Sequence, residues 1–369
     1  MIPMLYDIAE TSLTSTATID RNNGYLGHFT TCSKCEVEES LNGKYILNME
    51  IYINDRLADI VISNMMILCK ANPFQDYQYF VIESTQRKTD GTILIKANHM
   101  KNCAFSTAVI GNTDYQGTPT EIFNHLNIVL PFGMSFSSTI TKSCTVPDNG
   151  KETMKLGDFL GGSGNNLINV FNGEFIFDNK KIQFVSKRGN ISDIVIRYGS
   201  NLSSATQEES SEELYSHIIA YGTVHDVYNN RDIEISTSEF EIPDSECKYQ
   251  RTINIDCSLV SKSLEVNAHT GAGYDEAWAK MKAFALGRAK YLGYDKKRIS
   301  IDVDYESALN TMQNLALGDT VNIELNKFGT KATARVTSYT YDSLLERYKK
   351  IEIGTTKITL SNILIGGTK

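Results

Sequence analysis

The 369-residue sequence holds one tryptophan and has no basic excess. Lysine and arginine total 36 against 44 aspartates and glutamates, a formal charge of −8. A protein that grips nucleic acid by neutralising its phosphates carries the opposite balance, so that class is excluded. No stretch approaches the roughly 20 apolar residues that a helix needs to cross a bilayer, and membrane insertion is not expected. The opening residues, Met1 to Asp7, supply neither a basic segment nor an apolar one, so no secretory leader is expected.

Paired metal motifs are also missing. Seven cysteines (Cys32, Cys35, Cys69, Cys103, Cys144, Cys247 and Cys257) form an odd, scattered set, which argues for reduced thiols and against a disulfide scaffold. Cys32 and Cys35 make one Cys-x-x-Cys, with His28 upstream. A structural zinc usually takes four ligands, often from two such pairs. In a regular strand, residues i and i+3 also point to opposite faces. Ordinary strand cysteines are therefore expected. The six histidines contain neither His-Glu-x-x-His nor His-x-His, and the closest pair is His217 and His225. A Cys–His nucleophile would have to be assembled from distant residues. Gly161-Gly162-Ser163-Gly164 lacks the Gly-Lys-Ser/Thr of a phosphate loop, and Asn165-Asn166 follows instead, so a helix-entry turn is expected. Asp302 and Asp304 share a strand face, either as a Ca²⁺ pair or as a solvated surface. No catalytic residue, metal site or cofactor is expected.

What is present points to strands. Hydrophobic residues make up 41% and charged residues 22%, as in ordered globular chains. The length exceeds the roughly 250–300 residues that one core serves, so several domains are expected. Nineteen tyrosines and fifteen phenylalanines favour strands. Tyr45, Leu47, Met49, Ile51 and Ile53 alternate with Asn48 and Glu50, the pattern of a half-buried strand. Asn42-Gly43 before it reads as a tight turn. Further strands read at residues 78–83 and 92–97, joined across Asp90-Gly91. Thr118-Pro119-Thr120-Glu121 opens a short helix carrying Ile122, Phe123, Leu126 and Val129. A second short helix is expected at 165–171. A hairpin follows, with Phe175, Phe177, Ile182 and Phe184 on one face and Asp178-Asn179 at the turn. A strand is expected at 194–198. The acidic run 207–213 reads as a solvated loop or helix start. A strand is expected at 214–221, ending at Gly222. The one long helix spans 275–291, with Ala277, Trp278, Met281, Ala285 and Ala289 as its apolar stripe and Gly293 at its end. Residues 299–305 alternate, 305–317 read as helix-like, and strands close the chain at 320–325, 332–341 and 348–353. Gly318 suits a left-handed backbone, and Asp319 suits capping of free amides.

Three stretches together resemble the prophage tail endopeptidase family, the tail-associated hub proteins of long-tailed phages. The first runs Cys35-Glu36-Val37-Glu38-Glu39-Ser40-Leu41-Asn42-Gly43-Lys44-Tyr45-Ile46-Leu47, with Asn54-Asp55-Arg56-Leu57 beyond it. The second joins Asn172-Gly173-Glu174 and Asp178-Asn179 to Arg188-Gly189 and then Tyr198-Gly199-Ser200-Asn201-Leu202. It departs from the family only at Asn172, where glycine is commoner. The third joins Gly318-Asp319 to Arg335, Tyr341-Asp342, Arg347-Tyr348 and Gly354. Their order and spacing agree across nearly the whole chain.

The resemblance implies a β-rich α+β fold like the phage baseplate hub, with two small β-barrel-like units and α/β insertions. The first unit would span 1–100 and the second 197–230 plus 310–356. The insertions would span 101–196 and 231–309, and 357–369 would be a C-terminal tail. The implied role is structural. Three copies would form a ring closing the tail tube at the virion tail tip, in contact with tail-tube and distal tail proteins and with the tape-measure protein. DNA would pass through without being bound. Lytic activity would belong to C-terminal modules beyond Lys369. The alternative reading, from the enzyme class, is a peptidoglycan endopeptidase acting during phage entry; a third is a binder of host-surface carbohydrate.

Overall fold

The computed structural model describes residues 2–7, 24–148, 150–162, 165–197, 205–304, 314–325 and 330–354. It is mostly β, with few helices. Its largest element is a thirteen-stranded sheet that draws strands from both ends of the chain.

The strand Tyr45–Tyr52 shows how the pattern becomes structure. Tyr45, Leu47, Met49 and Ile51 are buried while Ile46, Asn48 and Glu50 are half-buried. Ile53, expected on the buried face, lies beyond the strand end and is exposed. Cys32–Ser40 and Thr92–His99 flank this strand, both antiparallel to it. Asn42 takes a positive φ of 47° in the turn between Cys32–Ser40 and Tyr45–Tyr52, a conformation asparagine tolerates. Gly91 does the same at 83° in the turn before Thr92.

Along the sheet the order is Ala205–Ser210, Arg298–Asp304, Arg347–Gly354, Thr330–Asp342, Cys32–Ser40, Tyr45–Tyr52, Thr92–His99, Gln78–Arg87, Met66–Cys69, Met4–Tyr6 and Tyr25–His28. Thr330–Asp342 splices the two ends of the chain. Its first half pairs with Thr320–Leu325 and its second half with Cys32–Ser40. Thr320–Leu325 in turn pairs in parallel with Ile191–Arg197. The pairings form an open path, and no barrel closes among the described residues. Two hydrophobic cores lie along this path. The larger runs from Met4 to Phe184, and the smaller gathers Leu41 with Leu315 to Ile353.

The middle of the chain extends the larger core. Pro119–His125 is a helix whose Thr118 and Glu121 form the expected reciprocal cap. It ends before Val129, which is almost fully exposed and not part of the helix face. Leu167–Phe171 is a single short helix capped by Asn166, which accepts from the Asn169 amide. The hairpin Glu174–Asp178 and Lys181–Val185 turns at Asn179, with φ 48°, and buries all four expected side chains.

Two readings change in the next stretch. The strand Ala205–Ser210 takes in the first part, 207–210, of the acidic run read as loop or helix start, and pairs with Arg298–Asp304 at the end of the sheet path among the described residues. An edge strand needs only backbone partners on one side, so it can dispense with apolar alternation. The strand expected at 214–221 is His217–Asp226 and passes through Gly222. A Cβ there would sit 2.4 Å from the Ser261 hydroxyl, so this glycine serves close packing and does not end the strand. His217–Asp226 anchors a separate five-stranded sheet. The helix Tyr274–Tyr291 packs on that sheet through Ala277, Met281, Ala285 and Ala289, spaced by four and all buried. Gly293 follows it at φ 68°. Of the helix expected over 305–317, residues 305–313 lie outside the described residues.

Candidate functional site

The motif residues of the sequence converge mainly on one place, a buried polar junction where three parts of the chain meet. These parts are the strand Cys32–Ser40 with its turn, the hairpin 174–185 with the segment after it, and residues 315–342.

Arg335 and Glu174 form its centre. Nη1 and Nη2 of Arg335 donate to the two Glu174 carboxylate oxygens at 2.7 and 2.9 Å. The same guanidinium donates from Nε to the Gly318 carbonyl at 3.0 Å and from Nη2 to the Arg188 carbonyl at 2.7 Å. The Arg188 amide donates to Glu174 Oε2 at 2.7 Å. Its guanidinium reaches the other way, to Glu39 Oε1 at 2.7 Å. Tyr339 donates its hydroxyl to Glu39 Oε2 at 2.6 Å and accepts from Asn72 Nδ2 at 3.0 Å. Burial works against the charge on Arg188, but Glu39 beside it outweighs that and holds the guanidinium pKa above its ordinary value. Burial, reinforced by Glu39, pushes the Tyr339 phenol up.

Around this centre the backbone is strapped by side chains. Asp319 accepts from the Asn190 amide at 2.7 Å through Oδ1 and from the Ala316 amide at 2.8 Å through Oδ2. Asn42 bridges Gly173 and Phe175, donating to the first carbonyl at 3.1 Å and accepting from the second amide at 2.7 Å. Asn179 accepts from the Tyr79 amide at 2.8 Å and donates to the Tyr77 carbonyl at 2.7 Å. Asp178 accepts from Gln78 Nε2 at 2.8 Å. The Gly43 carbonyl accepts from Lys101 Nζ at 2.8 Å. Lys101 is itself buried, its ammonium 4.0 Å from the centroid of the Phe177 ring, and burial pulls its pKa down to about 7.

Tyr341, Asp342, Arg347, Tyr348 and Gly354 lie on the adjoining hairpin. Tyr341 pairs with Tyr348 and Asp342 with Arg347. The two tyrosine rings meet edge to face at 5.4 Å, and the Tyr348 hydroxyl donates to the Leu315 carbonyl at 3.0 Å. Asp342 caps the turn through the Leu344 and Leu345 amides. Gly354 pairs with Arg335. Tyr198, Gly199, Asn201 and Leu202 lie outside the described residues.

Glu39, Tyr339, Asn72 and Lys101 were not singled out as site residues from the sequence. Glu39 left a trace. It falls in phase with Cys35 and Val37 on the inward face of its strand, and a carboxylate on an apolar face needs a buried partner. Tyr339 and Lys101 left none, because their partners are remote in sequence.

Both central carboxylates are buried, and each of their four oxygens accepts at least one hydrogen bond. Such groups offer no exposed acid or base to a substrate. The arrangement clamps three chain segments in one register.

Cys32 and Cys35 correct a further expectation. A register shift between Cys32 and Lys34 places Cys32 opposite Ile51 and Cys35 opposite Met49. Ile51 and Met49 share the buried face, so the bulge turns both cysteines toward it. The Cys35 thiol and burial both push the Cys32 thiol pKa up. Among the described residues, no group of three or more His, Cys, Asp or Glu is placed to hold a metal ion.

Comparison with solved structures identifies the fold. A prophage tail protein, gp18, from Listeria monocytogenes EGD-e matches over 99% of this chain and 97% of its own, with 16% identity and a TM-score of 0.59. A tail protein from Neisseria meningitidis MC58 matches over 98% of both chains, with 8% identity and a TM-score of 0.56. The 43 kDa tail protein of prophage MuSo2 from Shewanella oneidensis matches over 97% of this chain and 99% of its own, with 10% identity and a TM-score of 0.53. No family profile and no curated protein sequence matches. The chain thus has the fold of phage tail proteins. Two of the three tail proteins that share it come from prophages.

Proposed function

We propose that this chain is a structural hub subunit of a phage or prophage tail, located at the virion tail tip. The observation that carries the reading is the end-to-end likeness to three tail proteins of nearly the same extent. The clamped junction supports it, because its ion pairs are spent on holding segments together.

In this reading, three copies form a ring on the tail tube. The barrel-like units at 1–100 and at 197–230 with 310–356 alternate around it, and distal lytic or receptor-binding modules connect below. Closed threefold symmetry makes each contact heterologous, so two different patches of the chain must fit each other. Tyr52, Ile53, Ile60 and Ile62 are large apolar side chains exposed within one short stretch, and they are suited to one such patch. DNA leaves through the ring without being held. The acidic balance of the chain favours this, since a basic lumen would retain phosphates by counterion release.

Light scattering on the purified chain, together with imaging of tail particles that contain it, tests the reading. A trimer in solution, or a monomer that forms a threefold ring in the particle, is expected. A stable dimer with no threefold contact in the particle would overturn it.

A further inference from the structure

Away from the junction, a cleft of about 350 Å³ opens where the helix Tyr274–Tyr291 and the strand Thr252–Asp256 face the short helix Leu167–Phe171. Its volume lies in the range of small-ligand sites, and clefts between packed units are a common place for them. The walls are tied together. Arg288 donates to the Asn169 carbonyl at 3.4 Å and to Asn172 Oδ1 at 3.3 Å, and it also bonds the Asn169 side-chain oxygen. Lys262 and Asp148 join the same two units at 2.9 Å.

The lining has a definite chemistry. Asn254 and Asp256 stand two apart on one strand and therefore point to the same side, where both are exposed. Asp256 uses Oδ1 to accept from the Ser258 amide at 2.8 Å. Its other oxygen, like the Asn254 amide, has no hydrogen-bond partner among the described residues. Tyr221 stands opposite Asp256 in register and adds a hydroxyl. Beside these polar groups lie the partly buried rings of Phe284 and Tyr294. Asp256 and Arg288 are the charged lining residues among those described, and their formal charges cancel.

A cleft without net charge does not concentrate phosphates or polycations. Amide, carboxylate and phenol groups along one wall offer both donors and acceptors. Ring faces on another wall offer apolar contact. The ligand that satisfies both walls is uncharged, with hydroxyls on one side and C–H groups on the other. We propose that this cleft binds a neutral saccharide unit, with Asn254 and Asp256 holding its hydroxyls and Phe284 or Tyr294 packing on its C–H face. The proposal rests on the cleft itself and is independent of the tail-hub reading.

Saturation-transfer NMR on the full chain, with maltotetraose and chitotetraose as separate probes, tests it. Saturation transfer to at least one probe is expected at millimolar concentration. Asn254→Ala and Asp256→Ala should each weaken that binding about tenfold, the loss of one good hydrogen bond. Both residues are exposed, and an unchanged melting temperature confirms that each variant is folded. Pyrophosphate and tetralysine serve as charged competitors and should not displace the saccharide. The proposal is overturned if neither probe shows transfer, if both variants bind as the parent does, or if a charged competitor displaces the probe.

Discussion

Gly189 and Gly318 are packed backbone against backbone. A Cβ on Gly189 would lie 2.2 Å from the Gly318 carbonyl carbon, and one on Gly318 would lie 2.5 Å from the Arg188 carbonyl oxygen. Both residues also have positive φ, 81° and 91°. Gly318→Val and Gly189→Ala therefore meet strain and collision together. Strain alone is on the order of 1–3 kcal/mol at each position. Urea denaturation should show both variants destabilised by at least that much. Gly287→Ala is the control. It lies within the long helix with open space around it, and should be neutral or gain about 0.5–1 kcal/mol. A Gly318→Val variant that melts with the parent would mean that the two loops can separate without loss.

The Glu174–Arg335 pair should show strong coupling in a double-mutant cycle. Removing one partner strands a buried charge, which typically costs about 3–5 kcal/mol. Glu174→Gln and Arg335→Met should each fall near that range. The double variant Glu174→Gln/Arg335→Met should lose clearly less than the sum of the two. Additive losses would show that the two side chains do not depend on each other.

Lys101 gives the stability a specific pH dependence. Its folded pKa is about 7 because of burial, against an ordinary value of 10.5. Between these values the unfolded chain holds a proton that the folded chain lacks, so stability rises with pH, by at most about 1.4 kcal/mol per pH unit. Tyr45, Tyr339, Tyr341 and Tyr348 act in the opposite sense. Burial raises their pKa values, so the folded chain keeps protons that the unfolded chain loses above about pH 10. Urea midpoints should climb from pH 7 to about 8.5 and turn down near pH 10. In Lys101→Met the climb should vanish while the downturn remains. The same slope in both proteins would exclude Lys101 as its source.

All seven cysteines are free thiols. Ellman's reagent should count seven in guanidinium chloride without reductant. In the native chain at pH 8, Cys35, Cys69 and Cys257 should react slowly because they are buried. Burial also raises the Cys257 thiol to about 12. A count below seven in denaturant would reveal a disulfide.

The parts of this fold that could be read in the sequence were those set by neighbouring residues. Asn42, Gly91, Asn179 and Gly318 mark turns because asparagine and glycine accept positive φ. The Thr118–Glu121 cap was legible because its hydrogen bonds span three residues. Pairings across the chain carried no such signal. Nothing near Tyr339 indicates that its hydroxyl meets Glu39. The edge strand 205–210 satisfies its backbone through 298–303 and so lacks the apolar alternation that identifies a strand. The bulge at Cys32–Lys34 misled a reading based on regular strand geometry, because one inserted residue exchanges the faces of everything before it. At the junction, Glu174, Arg188, Asp319 and Arg335 were marked out by a resemblance, while the direct contact of Glu174 with Arg188 and Arg335 was not.

The pairing of Cys32–Ser40 with Thr330–Asp342 also dictates a timetable during synthesis. The ribosome releases the first strand some 300 residues before its partner, the separation between Glu39 and Tyr339. Throughout that interval Cys32–Ser40 has a neighbour on one side and an open row of hydrogen-bonding groups on the other. Such a row recruits any strand that comes near, including the same strand of another nascent chain. Fragments that end before residue 330 should therefore aggregate where the longer chain does not, and the late-emerging strand acts as the protein's own protective cover.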